Sequence, residues 1–529
     1  MQLETLFLKF KSRISTRIGL DNWIQFNLVL FIFFLAGFHL TFWPKVAELS
    51  KILFCLTSLV TLVLYDFSEW IKIFKPRLVL INLLAQICLC GLNIVLEYSS
   101  LNFNFYDSGW FFNPIANFAN GYGFFNSEIG QSEFADHFCP SLILLTPFYL
   151  IFPNPVILPV IKFFSYIIST FFLFRFCRIL KLDNNYTSFV LFLWSINIGV
   201  VNYMGFEFQA SNLVIPFILI ILICLERNNL LAAYLFGFLS CGFKETAGFA
   251  LVSIGLIDFL YNENKKRGLV FSSVFFTFSI LSIKVLMPLF SGNSQGVNDG
   301  IFDPMCCLTE KSNFIFYFLS TVGFLFVFHP KAILIVLPAL ATSLLGNRPG
   351  SHTLAYHYQD MAMVISFALI VKILSINKKW VSSDIFRNVD LRVFAYVLIL
   401  VVFWVNTRSF FEFVQTNKPN DKTLLAISQM EKFASDYKEL HTNDACKIWT
   451  QTCLAFYLSG QKNIKCIMNT NETIMDANPN YVILCDDATG RWPIDADYEQ
   501  LKVLMRSDVT KGVRIEHMGY APLIVFERK

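Results

Sequence analysis

The sequence predicts an α-helical integral membrane protein that crosses the bilayer about thirteen times and ends in a small α/β domain. Hydrophobic residues make up 55% of the 529 residues and charged residues only 15%, a composition typical of membrane proteins. Apolar runs long enough to span a bilayer recur along the chain, and the composition turns polar after about residue 415. The net charge is only +4, and Lys and Arg form short clusters between apolar runs. Both features argue against nucleic acid as a partner.

The spans are predicted from apolar runs bounded by charge, because a helix needs roughly 20 apolar residues to cross about 30 Å of hydrocarbon. They lie at 23–44, 52–67, 78–97, 155–177, 185–204, 211–226, 229–243, 247–262, 268–290, 313–329, 331–346, 361–376 and 391–409. Several runs are short, so a merged or re-entrant pair would change the number of crossings. The basic segment before residue 23 lacks a small-residue cleavage site and predicts an uncleaved first anchor.

The orientation is predicted from Lys and Arg, which are enriched in short cytoplasmic loops. With thirteen spans, five basic clusters fall on one side: Lys9, Lys11, Arg13 and Arg17; Lys72, Lys75 and Arg77; Arg175, Arg178 and Lys181; Lys265, Lys266 and Arg267; Lys378, Lys379 and Arg387. Lys45 and Lys51 run against this pattern but do not outweigh it. The N-terminus is therefore expected in the cytoplasm and the C-terminal domain outside it.

The chain divides into three predicted parts. Residues 1–77 hold the N-terminal segment and two extra spans, 78–410 the transmembrane core with a long outer loop at 98–154, and 411–529 the soluble domain. The apolar stretch 229–262 has roughly 34 residues and as one helix would reach about 50 Å, so it must form two helices. The turn between them would hold Lys244, Glu245 and Thr246 at the outer surface.

Residues 140–153 are apolar but too short to span, and prolines interrupt them. They predict a juxtamembrane or re-entrant helix.

The soluble domain is predicted to contain a helix at 421–438, strands near 446–450, 463–467 and 479–485, a helix near 497–507 and a final strand pair. Its cysteines, Cys446, Cys453, Cys466 and Cys485, fit either a disulfide or buried thiols. The 13 cysteines of the chain include no paired spacing with nearby histidines, so no zinc site is predicted.

The outer loop carries most of the candidate catalytic residues. Asp107 lies between Tyr106 and Trp110, which could shield it, and a carboxylate at that edge of the membrane could act as a general base toward an acceptor hydroxyl. Asp136 and His137 follow later in the loop. Glu128 and Glu133 are expected to be solvated loop residues.

Further polar residues lie at the other predicted outer turns, and cations there could hold a phosphate. These residues are Glu207, Lys244, Glu245, Arg348, His352 and His357. For Lys244 and Glu245 the alternative is a mutually satisfied pair at a helix end. For His352 and His357 the alternative role is a hydrogen bond at the membrane interface.

The run from YDSG through DHFCPS, the PFYLIFP that follows and the later KET turn resemble the domain of unknown function 2079 family of bacterial membrane proteins. That family is grouped with the GT-C superfamily of membrane glycosyltransferases, which use lipid-linked sugars. The resemblance covers roughly residues 80–375. It implies that Asp107 matches the catalytic carboxylate, that Asp136 and His137 match an acidic-His-Phe element, and that Lys244 and Glu245 match a Lys-Glu pair. Where a His is expected after the fifth run, this chain has Phe206, Glu207 and Phe208.

The leading hypothesis is a bacterial inner-membrane glycosyltransferase that takes a sugar from a polyprenyl-phosphate donor, since no nucleotide-binding glycine loop is visible. Asp107 would deprotonate the acceptor, Lys244 and Arg348 would neutralise the phosphate, and His137 and His352 would orient the donor. A divalent metal is optional in this scheme. One alternative is a transporter or flippase of a lipid-linked intermediate. Another is a non-catalytic assembly or sensing protein that binds through its C-terminal domain.

Overall fold

The computed structural model describes residues 74–262, 264–291, 306–321, 330–346, 357–376, 421–436, 447–467, 479–485, 513–514 and 522–528. The predicted spans 23–44, 52–67 and 391–409 and the predicted helix 497–507 lie outside these residues. The described part combines a helical bundle, a folded loop and a sheet near the C-terminal end.

The first long helix and the loop after it form the start of the described chain. Helix α1 (Pro76–Ser99) has a proline in its first turn, where the missing N–H leaves no bond unmade. A π-helical turn at Phe105–Gly109 leads into α2 (Trp110–Ala119). The hairpin β1 (Phe125–Asn126) and β2 (Gln131–Ser132) follows, then 3-10 turns at Glu133–Ala135 and Pro140–Leu145 and helix α3 (Thr146–Ile151). The apolar segment 140–153 is therefore helical but too short to span, as predicted.

The bundle continues with helices that lie at the predicted apolar runs. They are α4 (Ile157–Ile179), α5 (Asn184–Ile196), α6 (Ile198–Gly205), α7 (Val214–Glu226), α8 (Leu230–Phe243), α9 (Ala247–Tyr261), α10 (Lys265–Leu281), α11 (Met287–Phe290), α12 (Leu308–Thr321), α13 (Pro330–Val336), α14 (Ala341–Leu345) and α15 (Asp360–Ile376). Within the described residues, three helical segments are long and apolar enough to cross a membrane: Pro76–Ser99, Ile157–Ile179 and Lys265–Phe290. Several shorter apolar helices accompany them.

The turn between α8 and α9 confirms that the stretch 229–262 is two helices. Helix α8 ends at Phe243 and α9 begins at Ala247, so Lys244, Glu245 and Thr246 form the connection. Helix α9 then packs closely on α10, because Gly255 and Gly268 let the two backbones meet. A Cβ on Gly268 would lie 2.5 Å from the carbonyl oxygen of Gly255, and small residues at such crossings are typical of membrane helices.

The opposite end of the bundle is held by buried ion pairs. Arg267 at the start of α10 donates to both carboxylate oxygens of Asp258 over 2.5 and 2.6 Å. Lys372 of α15 donates to Glu226 at the end of α7 over 2.7 Å. Since Asp258 lies near the C-terminal end of α9 and Glu245 precedes its start, these pairs lie at the far end of the bundle from the turn at 244–246.

The C-terminal part folds around a mixed sheet. Helix α16 (Asp421–Asp436) precedes β3 (Ile448–Thr450), α17 (Thr452–Tyr457), β4 (Ile464–Cys466), β5 (Tyr481–Cys485), β6 (Val513–Arg514) and β7 (Leu523–Arg528). The strand order is β4-β3-β5-β7-β6. Strand β3 runs parallel to β4 and β5, while β7 is antiparallel to β5 and β6. The predicted helix 421–438 and the predicted strands coincide with these elements. Cys453, Cys466 and Cys485 are buried free thiols, and Cys446 lies outside the described residues.

Candidate functional site

Asp107 lies in the π-helical turn that joins the C-terminal end of α1 to α2. The side chain of Asn104 caps this turn and accepts a hydrogen bond from the backbone N–H of Tyr106 over 3.1 Å. Oδ1 of Asp107 accepts a hydrogen bond from Nε2 of Gln209 over 2.7 Å. Burial raises the pKa of Asp107 to about 6, although Gln209 and the charge of Lys162 oppose this shift. A carboxylate with this pKa is well suited to accept a proton near neutral pH.

Glu207 supports the same turn from the segment after α6. Its carboxylate accepts hydrogen bonds from the backbone N–H of Asn104 over 2.8 Å and of Ser108 over 3.4 Å. Burial, together with the negative charge of Asp107, raises the pKa of Glu207 well above its usual value. The departure from the expected histidine thus places a second carboxyl group beside Asp107, where it holds the backbone on both sides of that residue.

A buried polar network lies behind these two carboxyl groups. The backbone N–H of Gln209 donates to Oδ1 of Asn212 over 2.7 Å, and Nδ2 of Asn212 donates to Oδ2 of Asp360 over 3.0 Å. The ammonium group of Lys162 donates to the backbone carbonyls of Met204 over 3.0 Å and of Phe206. This network ties α4, α6 and α15 to the Asp107 turn.

Sequence reasoning did not select Lys162, Gln209 or Asp360. A signal was present for two of them, because an ionisable side chain at membrane depth is costly and often functional. Lys162 interrupts the apolar run 155–177, and Asp360 immediately precedes the run 361–376. Gln209 carried no such signal, because its role depends on a contact with a residue 102 positions earlier.

A second cluster joins the outer loop to the turn between α8 and α9. Nζ of Lys244 lies 3.0 Å from Nδ1 of His137 and 3.8 Å from Oε1 of Glu245. His137 also approaches Oε1 of Glu245 at 3.4 Å and Oδ2 of Asp136 at 3.5 Å. The structure therefore brings together two pairs that sequence analysis selected in distant parts of the chain, Asp136 with His137 and Lys244 with Glu245.

Neighbouring charges shift the pKa values of two members of this second cluster. Burial disfavours ionisation of Glu245, but the charges of Lys244 and His137 outweigh burial and lower its pKa to about 2. Burial and Lys244 act to lower the pKa of His137, yet Asp136 and Glu245 outweigh them and raise it. Oε2 of Glu245 is buried without a hydrogen-bond partner. Of the four side chains, His137 is the most exposed at 27%, while Lys244 is 12% exposed.

The expectation that Glu133 and Glu128 are solvated is wrong. Glu133 is fully buried and accepts hydrogen bonds from Nε1 of Trp110 over 3.1 Å and Nδ2 of Asn126 over 2.6 Å. Burial raises its pKa to about 8. Glu128 is half-buried and accepts from the hydroxyl of Tyr106 over 3.0 Å and from the backbone N–H of Cys466 over 2.9 Å. Both carboxyl groups organise the loop instead of facing water.

An aromatic contact connects the two clusters. The ring of Phe111 stacks on the imidazole of His137 with centroids 5.9 Å apart, and it meets the ring of Phe208 edge-on at 5.9 Å. Phe208 lies between Glu207 and Gln209 in the chain. The Asp107 turn and the Lys244 cluster are therefore neighbours, separated by two apolar rings.

The C-terminal domain forms part of the site. Leu101 and Phe105 belong to the same hydrophobic core as Ile448, Leu454 and Ile483, although they lie in the outer loop. Nδ2 of the buried Asn113 donates to the carbonyls of Ser459 over 2.8 Å and Gln461 over 2.9 Å. Because Phe105 begins the turn that carries Asp107, the loop and the domain share one core at the same end of the bundle.

The remaining candidates lie at the limits of the described residues. Arg348 and His352 fall outside them. His357 begins the 3-10 turn His357–Gln359 before α15, and its side chain is not among those described. Within the described part of the chain, no group of three or more His, Cys, Asp or Glu side chains is arranged to hold a metal ion.

Long apolar helices that carry a folded, carboxylate-rich loop at one end define the chain as a helical membrane protein. It belongs to the domain of unknown function 2079 family, described as predicted membrane proteins, which matches residues 97–506. The match extends beyond residue 375 and includes most of the C-terminal domain, in agreement with the shared core around Phe105. No curated protein matches the sequence.

Proposed function

We propose that the protein is a glycosyltransferase of the GT-C type in a bacterial inner membrane. It moves a sugar from a polyprenyl-phosphate donor to an acceptor hydroxyl on the extracytoplasmic face. In this proposal the chain has about thirteen spans, a cytoplasmic N-terminus, and an extracytoplasmic domain at residues 411–529. The contacts between the C-terminal domain and the outer loop support a common face for both, since the two share one core.

The observation that carries the proposal is the environment of Asp107. Its carboxylate is held by Gln209 over 2.7 Å at the edge of the bundle, and its pKa of about 6 leaves it ionised yet basic near neutral pH. The acceptor hydroxyl gives its proton to Asp107 as its oxygen bonds to the anomeric carbon of the donor sugar. The bond between that carbon and the phosphate oxygen breaks, and polyprenyl phosphate leaves.

The leaving phosphate needs positive charge, and the second cluster supplies it. Lys244 lies partly exposed beside the more exposed His137, and its ammonium group would meet the phosphate. Lys244 would then interact with both the phosphate and Glu245, whose Oε1 lies 3.8 Å from Nζ of Lys244. Arg348 would add to this charge, while His137 and His352 would orient the donor and His357 would support them. A divalent metal is not required by this scheme.

The proposal is tested by sugar transfer with the full chain purified in lipid. Extracts containing radiolabelled polyprenyl-phosphate sugars serve as donors, and wild type is compared with Asp107→Asn and Lys244→Met. We expect Asp107→Asn to lose at least about 100-fold in rate, the usual contribution of a general base. Asp183→Asn is the matched control, because Asp183 caps α5 and asparagine caps a helix equally well.

A second candidate is a transporter or flippase of a lipid-linked intermediate, and the burial of Lys162 inside α4 favours it. Vesicles that hold the protein distinguish the two. Transbilayer movement of a labelled polyprenyl phosphate without any sugar transfer would favour the transporter over the glycosyltransferase. Full activity in Asp107→Asn would remove Asp107 as the base. Loss of transfer on deletion of residues 415–529 would agree with the shared core, whereas retained transfer would count against a role for the domain in binding.

A further inference from the structure

Lys162 is a buried cation with backbone partners. It is 4% exposed and lies in the second turn of α4, at the end of the bundle that carries the outer loop. Its ammonium group donates to the carbonyls of Met204 and Phe206. Helix α6 ends at Gly205, so these carbonyls belong to its final turn and to the residue after it. A cation is favoured there, because the last carbonyls of a helix have no partner within it.

The segment after these carbonyls holds the Asp107 turn. Phe206 is followed by Glu207, which accepts from the backbone N–H of Asn104 and of Ser108. Gln209, two residues further, donates to Asp107 itself. One short segment, residues 206–209, is thus tied on one side to α4 by Lys162 and on the other side to the Asp107 turn.

Carboxyl groups from several elements act electrostatically on Lys162. Lys162 interacts electrostatically with Glu97 of α1, Glu207 and Asp360, and with the thiol of Cys90. Its charge also acts on Asp107. One side chain is therefore coupled electrostatically to carboxyl groups of α1, the loop, the segment 206–209 and the start of α15.

We propose that Lys162 is the positioning residue of the site: it holds segment 206–209 in place, and through Glu207 and Gln209 it fixes the geometry of Asp107 without contacting substrate. The geometric part of this inference stands without any catalytic activity. Its consequence for Asp107 as a base depends on the proposed glycosyltransferase function.

Hydrogen exchange of the full chain in lipid tests the geometric part. The readout is the peptide that covers residues 102–110, whose amides at Asn104 and Ser108 are bonded to Glu207. We expect this peptide to exchange at least about tenfold faster in Lys162→Met than in wild type, because the turn opens locally. Lys162→Arg retains a cation and restores protection. Lys162→Gln retains an N–H donor group on a shorter, uncharged side chain and gives an intermediate rate.

Lys372→Met is the matched control. Lys372 is also a buried lysine of an apolar helix, but it pairs with Glu226 at the far end of the bundle. Equal exchange of residues 102–110 in Lys162→Met and Lys372→Met would overturn the proposal, because the effect would then be general destabilisation. If Lys162→Met does not fold, the comparison uses wild type, Lys162→Arg and Lys162→Gln, and protection of residues 102–110 should decrease in that order. Equal protection in all three would overturn the proposal.

The pH profile of sugar transfer tests the consequence for Asp107. In Lys162→Gln the positive charge that favours ionised Asp107 is lost, while Glu97, Glu207, Asp360 and Cys90 remain. The acid limb of the profile should therefore move to higher pH, and Lys162→Arg should restore it. An unmoved limb would overturn the link to Asp107. If wild type transfers no sugar, the proposed function fails, and the exchange comparison still decides whether Lys162 positions the turn.

Discussion

Nε2 of Gln209 lies 2.7 Å from Oδ1 of Asp107, and this bond joins the outer loop to the segment after α6. The amide donates to the charged form of the carboxylate and so favours ionisation, whereas burial favours the neutral form. The balance places the pKa of Asp107 at about 6. Gln209 therefore helps to set the pKa of the proposed general base.

Replacing Gln209 should move the acid limb of the pH profile. Gln209→Leu removes a hydrogen bond to the ionised form, so the pKa of Asp107 rises and half-maximal transfer requires a higher pH. The check is the initial rate of transfer between pH 5 and pH 8. Gln86→Leu is the control, because Gln86 bonds Ser195 and Tyr166 and should leave the limb in place. A limb that does not move in Gln209→Leu would exclude Asp107 as its source.

Glu133 should make the folded protein less stable as the pH rises. Its pKa is about 8 in the folded state, against an ordinary value of 4.5 that applies to the unfolded chain. The folded state therefore binds the proton more tightly. The stabilisation from this proton is complete below pH 4.5 and is lost as the pH rises to about 8. Glu133→Gln should flatten the dependence of the thermal midpoint over that range. Glu310→Gln, at an exposed position, should leave the slope unchanged, and a slope retained in Glu133→Gln would contradict the assignment.

Asn113 should be needed to dock the C-terminal domain. Its amide nitrogen donates to two backbone carbonyls of the domain. In Asn113→Ala these two carbonyls would remain buried and lose their hydrogen-bond donor. We expect a loss of about 2 kcal/mol or more, measured as faster proteolytic release of the domain. Asn120→Ala, just after the same helix, loses a hydrogen bond to the hydroxyl of Tyr149 but none to the domain, so it should not speed release of the domain. Equal release from the two variants would refute this role.

Phe105 should contribute to the stability of the C-terminal domain although it lies far from it in sequence. It is fully buried in the core that contains Ile483 of β5. Truncation to alanine should cost about 3 to 5 kcal/mol and speed hydrogen exchange in β5. Phe118→Ala, at a side chain 38% exposed, is the matched control. Unchanged exchange in β5 of Phe105→Ala would show that the domain folds independently.

Local features of the fold could be predicted from the sequence because they depend on residues close together in the chain. The length of the stretch 229–262 required two helices, and the turn falls at Lys244–Thr246 as expected. Alternation and composition located α16 and the strands of the C-terminal sheet. Asp107, Asp136, His137, Lys244 and Glu245 could be selected because charged residues beside apolar runs are unusual.

The partners of these residues could not be predicted, because they come from distant parts of the chain. Glu128 and Glu133 lie in a polar loop whose composition is typical of solvated residues. In the fold, both carboxyl groups are at least partly buried and accept hydrogen bonds from distant backbone or nearby side-chain donors. Lys162 lies within an apolar run, and its partners are backbone carbonyls about forty residues away.

By itself, the sequence determined a helical membrane protein with a polar end and a small α/β domain, since hydrophobic length and periodicity are local properties. The tertiary structure decided that the loop and the C-terminal domain share one core, and that Asp107 lies against Glu207 and Gln209. It also decided that Lys244 faces His137. These relationships arise from packing between segments, where burial and long-range hydrogen bonds set both geometry and pKa.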